Sequence, residues 1–241
     1  PGVPAGAGWA RATVNTRGGI ALVGKLGDGT TFTTSILPSQ EETPSYRLWV
    51  QPYKPTRVET FLSGTFELQP NELNSYVFSV SDTSLVWAKA ARTADKSYPA
   101  GFAPLSVGLT LDTWVKPTAS LPLNGLLGLP GDALKVAHSL TGSASDASLP
   151  TTLTLSSRNV IAVTGTSGLT KWKTKLNKNT GTFTGSFELM DAGVKRVAKF
   201  SGVLRQPAGN DVEVIGDGHF LFPATPGGVE TASGEVLFLI P

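Results

Sequence analysis

Hydrophobic and polar positions alternate most clearly between Lys171 and Leu204. Trp172, Thr174 and Leu176 alternate with Lys171, Lys173 and Lys175. This period of two predicts a strand with lysines on one face and aromatic and apolar groups on the other. Thr182, Phe183, Thr184, Phe187 and Leu189 predict a second strand. After Asp191-Ala192-Gly193, the run 194–204 predicts a third, so the stretch reads as a β-meander. Near the start, strands are expected at about 9–16, 20–26 and 30–36, with turns at Arg17-Gly18-Gly19 and Gly27-Asp28-Gly29. Asp-Gly between alternating runs predicts a type I′ hairpin with positive φ at both central residues.

The segment 38–55 is punctuated by proline and reads as irregular, and a strand is expected over 59–68. In the middle of the chain, strands are expected at 84–90 and 105–115. The run 121–130 is apolar but broken by Pro and Gly, hence a packed loop. Residues 133–139 read as a strand or a helical turn, and 142–150 as a mobile loop or a boundary. Strands follow around Ser157 and over the two closing runs, and no stretch keeps a helical apolar period over ten residues.

Two parts of the chain echo each other. Trp9, Asn15 and Gly24 correspond to Trp172, Asn177 and Gly185, and Ser63-Gly64 corresponds to Ser233-Gly234. The expected fold is therefore all-β: an antiparallel barrel or sandwich built from two related meanders, 9–69 and 171–240, with a less regular middle, 70–170. Residues 1–8 are expected to be linker, leaving one β domain over 9–241. The pattern leaves open whether a barrel interior would be filled or hollow, and a hollow one would suit a small-ligand carrier.

Composition narrows the chemistry. With 27 Gly and 17 Pro, and charged residues at only 16%, the chain suits many strands joined by turns. Having no cysteine, it can form neither a disulfide nor a thiolate metal site, and it has no Cys nucleophile. No apolar run is long enough for a membrane-spanning helix, so no membrane span is expected. Charge is unevenly placed: from Lys171 to Arg205 eight basic residues stand against Glu188 and Asp191, a local +6 in a protein of net +2.

The runs GWARATV (8–14), GKLGDGTTF (24–32), LVWAK (85–89) with SYPAGF (97–102), TGTFTGSF (180–187), FSGVLRQ (200–206) and SGEVLFL (233–239) together resemble a β-rich module of large secreted multi-domain bacterial surface proteins. The resemblance spans most of the chain, and its motifs are turn and strand motifs. It implies a secreted or cell-surface setting without enzymatic activity, and it carries over no catalytic residue.

Candidate chemistry is sparse. The only histidines, His138 and His219, read as surface or strand-end residues, too few for a zinc site. Asp211, Glu213 and Asp217 cluster near turns but lack the spacing of a calcium loop and read as turn acids. The strand acids Glu67 and Glu188, each in an F-E-L triplet, read as solvent-facing rather than as a glycosidase pair. No catalytic residue, metal ligand or cofactor is expected.

Lys171, Lys173, Lys175 and Lys178 form a basic stripe that would hold a polyanion or, alternatively, guard a sheet edge against pairing. No nucleic-acid motif accompanies it, and nucleic acid is not an expected partner. Trp49, Trp87, Tyr98 and Trp114 are candidates for stacking on sugar rings, or else anchor loops over the core. The expected function is thus a non-catalytic structural, adhesion or assembly module, with other protein subunits or a cell-surface glycan as partner. A carbohydrate- or polyanion-binding module is the alternative, and a secreted glycan-active enzyme a second.

Overall fold

The computed structural model describes residues 2–40, 45–53, 59–71, 74–127, 129, 133–140, 151–156, 160–163, 170–191, 194–206, 214–222 and 232–240. The 191–193 turn beyond its first residue, the 142–150 loop, Ser157, Asp211 and Glu213 lie outside the described residues. The chain is all-β and gathers into two compact units, each with its own core.

The first unit comprises Pro1–Val3, Ala10–Leu26 and Thr30–Thr113. Strands β1 (Trp9–Val14), β2 (Ile20–Lys25) and β3 (Thr31–Ile36) form one antiparallel sheet in chain order. Strands β4 (Ser45–Val50), β5 (Phe61–Asn71), β6 (Asn74–Lys89) and β7 (Phe102–Val107) form another. A single bridge between Pro38 and Tyr46 joins the two sheets. They share a core in which Ile20, Phe32 and Ile36 meet Tyr46, Leu48, Leu62, Phe66, Leu85 and Trp87. β4 falls inside the segment expected to be irregular. Tyr46, Leu48 and Val50 are buried while Arg47 and Trp49 are exposed, an alternation that the flanking prolines obscured.

The hairpin turns differ from the expected type. At Gly27-Asp28-Gly29 only the glycine at 29 has positive φ (84°) among the two turn-centre residues, and the Leu26 N–H donates to Thr30 O at 2.8 Å. This is a three-residue loop closed by a left-handed glycine, the alternative to a two-residue type I′ turn. The β1–β2 turn repeats it with Gly18 (φ 77°), and Asn15 Oδ1 accepts from the N–H groups of Arg17 and Gly19.

The second unit comprises Pro4–Trp9, Gly27–Gly29 and Trp114–Pro241. A single-turn helix, α1 (Leu123–Leu126), stands where a packed loop was expected, and Leu123 and Leu127 are buried as that loop required. The eight strands are β8 (Ala133–Leu140), β9 (Thr151–Leu155), β10 (Ile161–Val163), β11 (Thr170–Asn177), β12 (Thr182–Asp191), β13 (Val194–Leu204), β14 (Val214–Phe222) and β15 (Ala232–Leu239). They form one antiparallel sheet in the order β10-β9-β8-β15-β14-β13-β12-β11. Its two edge strands, β10 and β11, come near each other but are not hydrogen-bonded, so the described strands form no closed barrel.

The inner face of this sheet is filled. Phe183, Phe187, Phe220 and Phe238 are essentially inaccessible, and Leu153, Leu155, Ile215, Val236 and the leucines of α1 pack with them. Burying each phenylalanine stabilises the fold by about 1.5–3 kcal/mol. The spacing of Phe and Gly explains how the rings fit. Phe183 pairs across the ladder with Gly202, Phe200 with Gly185, Phe220 with Gly234 and Phe238 with Gly216. Each ring thus lies opposite a residue that has no side chain.

Residues 4–9, within and beside the stretch expected to be linker, lie on the outer face of β13–β15. The Ala5 N–H donates to Ser233 Oγ (3.2 Å), Trp9 Nε1 donates to Ser201 Oγ (3.1 Å), and Ala7 O lies 3.2 Å from His219 Nδ1. His219 is therefore a mid-strand residue, 2% exposed, rather than a surface one. Alternation turns it away from the core, and the N-terminal segment covers it. His138 lies within β8, its backbone opposite Val236.

A candidate binding edge on strand β11

Among the described strands β11 pairs only with β12, and β10 runs close to its other side without pairing. Trp172, Thr174 and Leu176 are half-buried while Lys171, Lys173 and Lys175 are exposed, as the alternation predicts. Trp172 fixes the strand to the core by stacking on Phe200 (4.6 Å between centroids) and Phe187 (5.9 Å). At its first residues the strand bulges. Thr170 pairs with Glu188 and Lys173 with Ser186, so Lys171 and Trp172 together oppose Phe187. Lys171 takes the left-handed conformation (φ 52°), uncommon outside glycine.

The lysines are not equivalent. Lys171 Nζ lies 3.1 Å from Glu188 Oε1 and Lys195 Nζ 2.7 Å from Oε2, so one carboxylate holds two ammonium groups. The hydrogen bond from Lys195, with help from Lys171, depresses the Glu188 carboxyl below its ordinary value, and Glu188 in turn raises Lys195. Glu188 faces outward as expected, but the two lysines cover it.

Lys173, Lys175 and Lys199 form no ion pair among the described residues. The ladder sets them in rows: Lys173 beside Ser186 and then Lys199, and Lys175 beside Thr184 and then Ser201. Lys178 lies off this face, in the turn after β11, where its carbonyl accepts from Trp114 Nε1 at 3.1 Å.

On the other side of β11 is a cleft of about 520 Å³ lined by Ile161, Ala162 and Val163 of β10 and by Lys171, Trp172, Lys173 and Thr174. Trp172 Nε1 and Thr174 Oγ1 are themselves shielded from solvent, and among the described residues neither has a hydrogen-bond partner. Such unsatisfied atoms are costly. Lys175–Asn177 run past the cleft, and among the described residues the outer edge of 171–176 makes no backbone hydrogen bond.

The aromatic candidates separate. Trp87 (6% exposed) donates through Nε1 to Tyr53 Oη at 3.2 Å and packs edge-on against Phe102. Tyr98 (7% exposed) packs on the same ring. Both are core residues and present no face to a sugar. Trp114 is partly buried against the second core, over Gly181. Trp49 is open (53% exposed) and stacks on Phe61 at 5.2 Å.

One charged group escaped the sequence reading, and a second lies elsewhere than expected. Lys89 is buried, with Nζ 3.1 Å from Asp95 Oδ2, donating to Ser97 O at 2.6 Å and lying 4.8 Å over the Tyr53 ring. It pins the loop between β6 and β7. Its signal was its place two residues after Trp87 on an inward-facing strand. Asp217, part of the acidic group read as turn residues, sits within β14. Burial raises its carboxyl above the usual range, although Arg205 and the Gly218 N–H pull it down.

Among the described residues no three His, Asp or Glu side chains are grouped as metal ligands, and no helix is long and apolar enough to cross a membrane. Searches of family models, curated proteins and solved structures find no match to this chain.

Proposed function

We propose that this chain is a non-catalytic adhesion and assembly module of a secreted or surface-bound bacterial protein, and that it makes its contact through the β11 edge. The observation that carries this reading is the exposed row of Lys173, Lys175 and Lys199, which form no ion pair among the described residues. Edge protection alone accounts for the lysines. It does not call for Lys199, which stands two strands in from the edge in the Lys173 row.

Retention of the labelled chain on intact bacterial cells tests the proposal. The chain is expected to be retained at about 0.15 M salt and released at about 0.5 M, as screening predicts. Lys173→Glu with Lys175→Glu should abolish retention. Equal retention of the double variant would remove β11 as the contact, and no retention of either protein would remove the adhesion reading.

A further inference from the structure

Resting on that reading, we propose that the partner is an acidic polysaccharide, seated on the outer face of β11–β13 between Lys173 and Lys175 on one side and Lys199 and Trp9 on the other. The strand between them shapes this surface. Register places Ser186 between Lys173 and Lys199, and Thr184 between Lys175 and Ser201. Short hydroxyl side chains on β12 are thus flanked by long, exposed ammonium side chains on β11 and β13. Strand spacing sets the backbones of Lys173 and Lys199 about 10 Å apart, and those of Lys173 and Lys175 about 7 Å apart.

Glu188 closes one end of this floor of hydroxyls. It holds Lys171 and Lys195, whereas Lys173, Lys175 and Lys199 form no ion pair among the described residues, so the uncompensated charge gathers around Ser186 and Thr184. At the other end stands an aromatic ring. Trp9 is half-buried and donates through Nε1 to Ser201 Oγ at 3.1 Å, and Ser201 is the ladder partner of Thr184. That bond fixes the indole over β13 in the row of Lys175 and leaves part of it open.

Each part has a counterpart in an acidic sugar. Ammonium groups take carboxylate or sulfate as point charges, hydroxyls donate to and accept from ring hydroxyls, and an indole covers the apolar C–H face of a pyranose. A protein partner fits less well. Protein interfaces are depleted in lysine and serine and anchored by buried aromatic side chains, but here hydroxyls fill the places between the lysines.

The test uses the full chain and four probes: an oligogalacturonate, a heparin oligosaccharide, a neutral oligogalactoside, and polyglutamate matched in charge to the oligogalacturonate. Affinity is measured by calorimetry at about 0.15 M salt. The acidic glycans are expected to bind, the tighter of the two naming carboxylate or sulfate as the group held. The neutral glycan should not bind, and polyglutamate should bind at least about tenfold more weakly than oligogalacturonate. Lys173→Gln and Lys199→Gln should each weaken glycan binding more than Lys178→Gln, which lies off this face, and together by at least about tenfold. Trp9→Ala should weaken the glycans but not polyglutamate. In the unaltered chain oligogalacturonate should shift the indole fluorescence, and Trp9→Phe should remove that shift. Circular dichroism confirms that the variants are folded.

Polyglutamate or the neutral glycan binding as tightly as oligogalacturonate would overturn the inference, as would a fluorescence shift that survives Trp9→Phe. Cell retention that depends on the lysines, with neither acidic glycan bound, would overturn this inference and leave the adhesion reading standing. Acidic-glycan binding without cell retention would do the reverse.

Discussion

Phe200 stands directly across the ladder from Gly185, and its ring tip, together with the Lys173 carbonyl oxygen, occupies the space that a Cβ at 185 would need. The same ring is the platform on which Trp172 stacks, so the glycine governs how β11 is seated. Gly185→Val should destabilise the fold by about 1–3 kcal/mol through overpacking. Phe200→Ala alone should cost about 3–5 kcal/mol. The double variant should cost less than the sum, since removing the ring relieves its part of the overlap while the Lys173 carbonyl still opposes a side chain at 185. Chemical denaturation of the three variants checks this, and strict additivity would contradict the shared-space account.

Two carboxylates should give opposite pH dependences. The lysines depress Glu188, so its stabilising contribution is complete above the ordinary glutamate range and disappears as pH falls through its lowered folded value. Burial raises Asp217, so ionising it opposes folding: the penalty is absent below the ordinary aspartate range and grows as pH rises through the raised folded value. Glu188→Gln should therefore lower the thermal midpoint at about pH 7, and Asp217→Asn should raise it. Both differences should be smaller near pH 3, that of Asp217 because the penalty is absent below the ordinary aspartate range and that of Glu188 in so far as pH has fallen toward its lowered folded value. Midpoints at the two pH values decide the matter.

Trp87 and Trp49 supply a further contrast. Trp87→Ala empties a buried site and should cost about 3–5 kcal/mol. Trp49→Ala removes an exposed ring stacked on Phe61 and should cost about 1 kcal/mol or less. Denaturant midpoints compare them directly.

What the sequence conveyed was local. Alternation placed Lys171, Lys173 and Lys175 outward and Trp172 inward, and turn glycines located the hairpins around Gly18 and Gly29. The same alternation would have sent Trp87 inward beside Leu85, where the structure has it, rather than to a sugar-binding loop. Face is thus a better guide to an aromatic side chain than nearness to a loop. The burial of His219 was beyond such reasoning, because its cover comes from Ala7, 212 residues earlier. β10 and β11 follow one another in the chain, yet they stand at the two ends of the strand order because β8 pairs with β15.

That β8–β15 pairing has a kinetic meaning. Every other neighbour relation in the eight-stranded sheet joins strands consecutive in the chain, the kind of contact that forms early at small entropic cost. β8–β15 alone closes a loop of about 100 residues. Consecutive hairpins can thus assemble as two open ribbons, β8–β10 and β11–β15, before this single register joins them. Until it forms, the ribbons leave the edges of β8 and β15 bare in addition to those of β10 and β11. The commitment of this unit to its native state, and its exposure to aggregation on the way there, both turn on Lys135–Leu140 finding Gly234–Leu239.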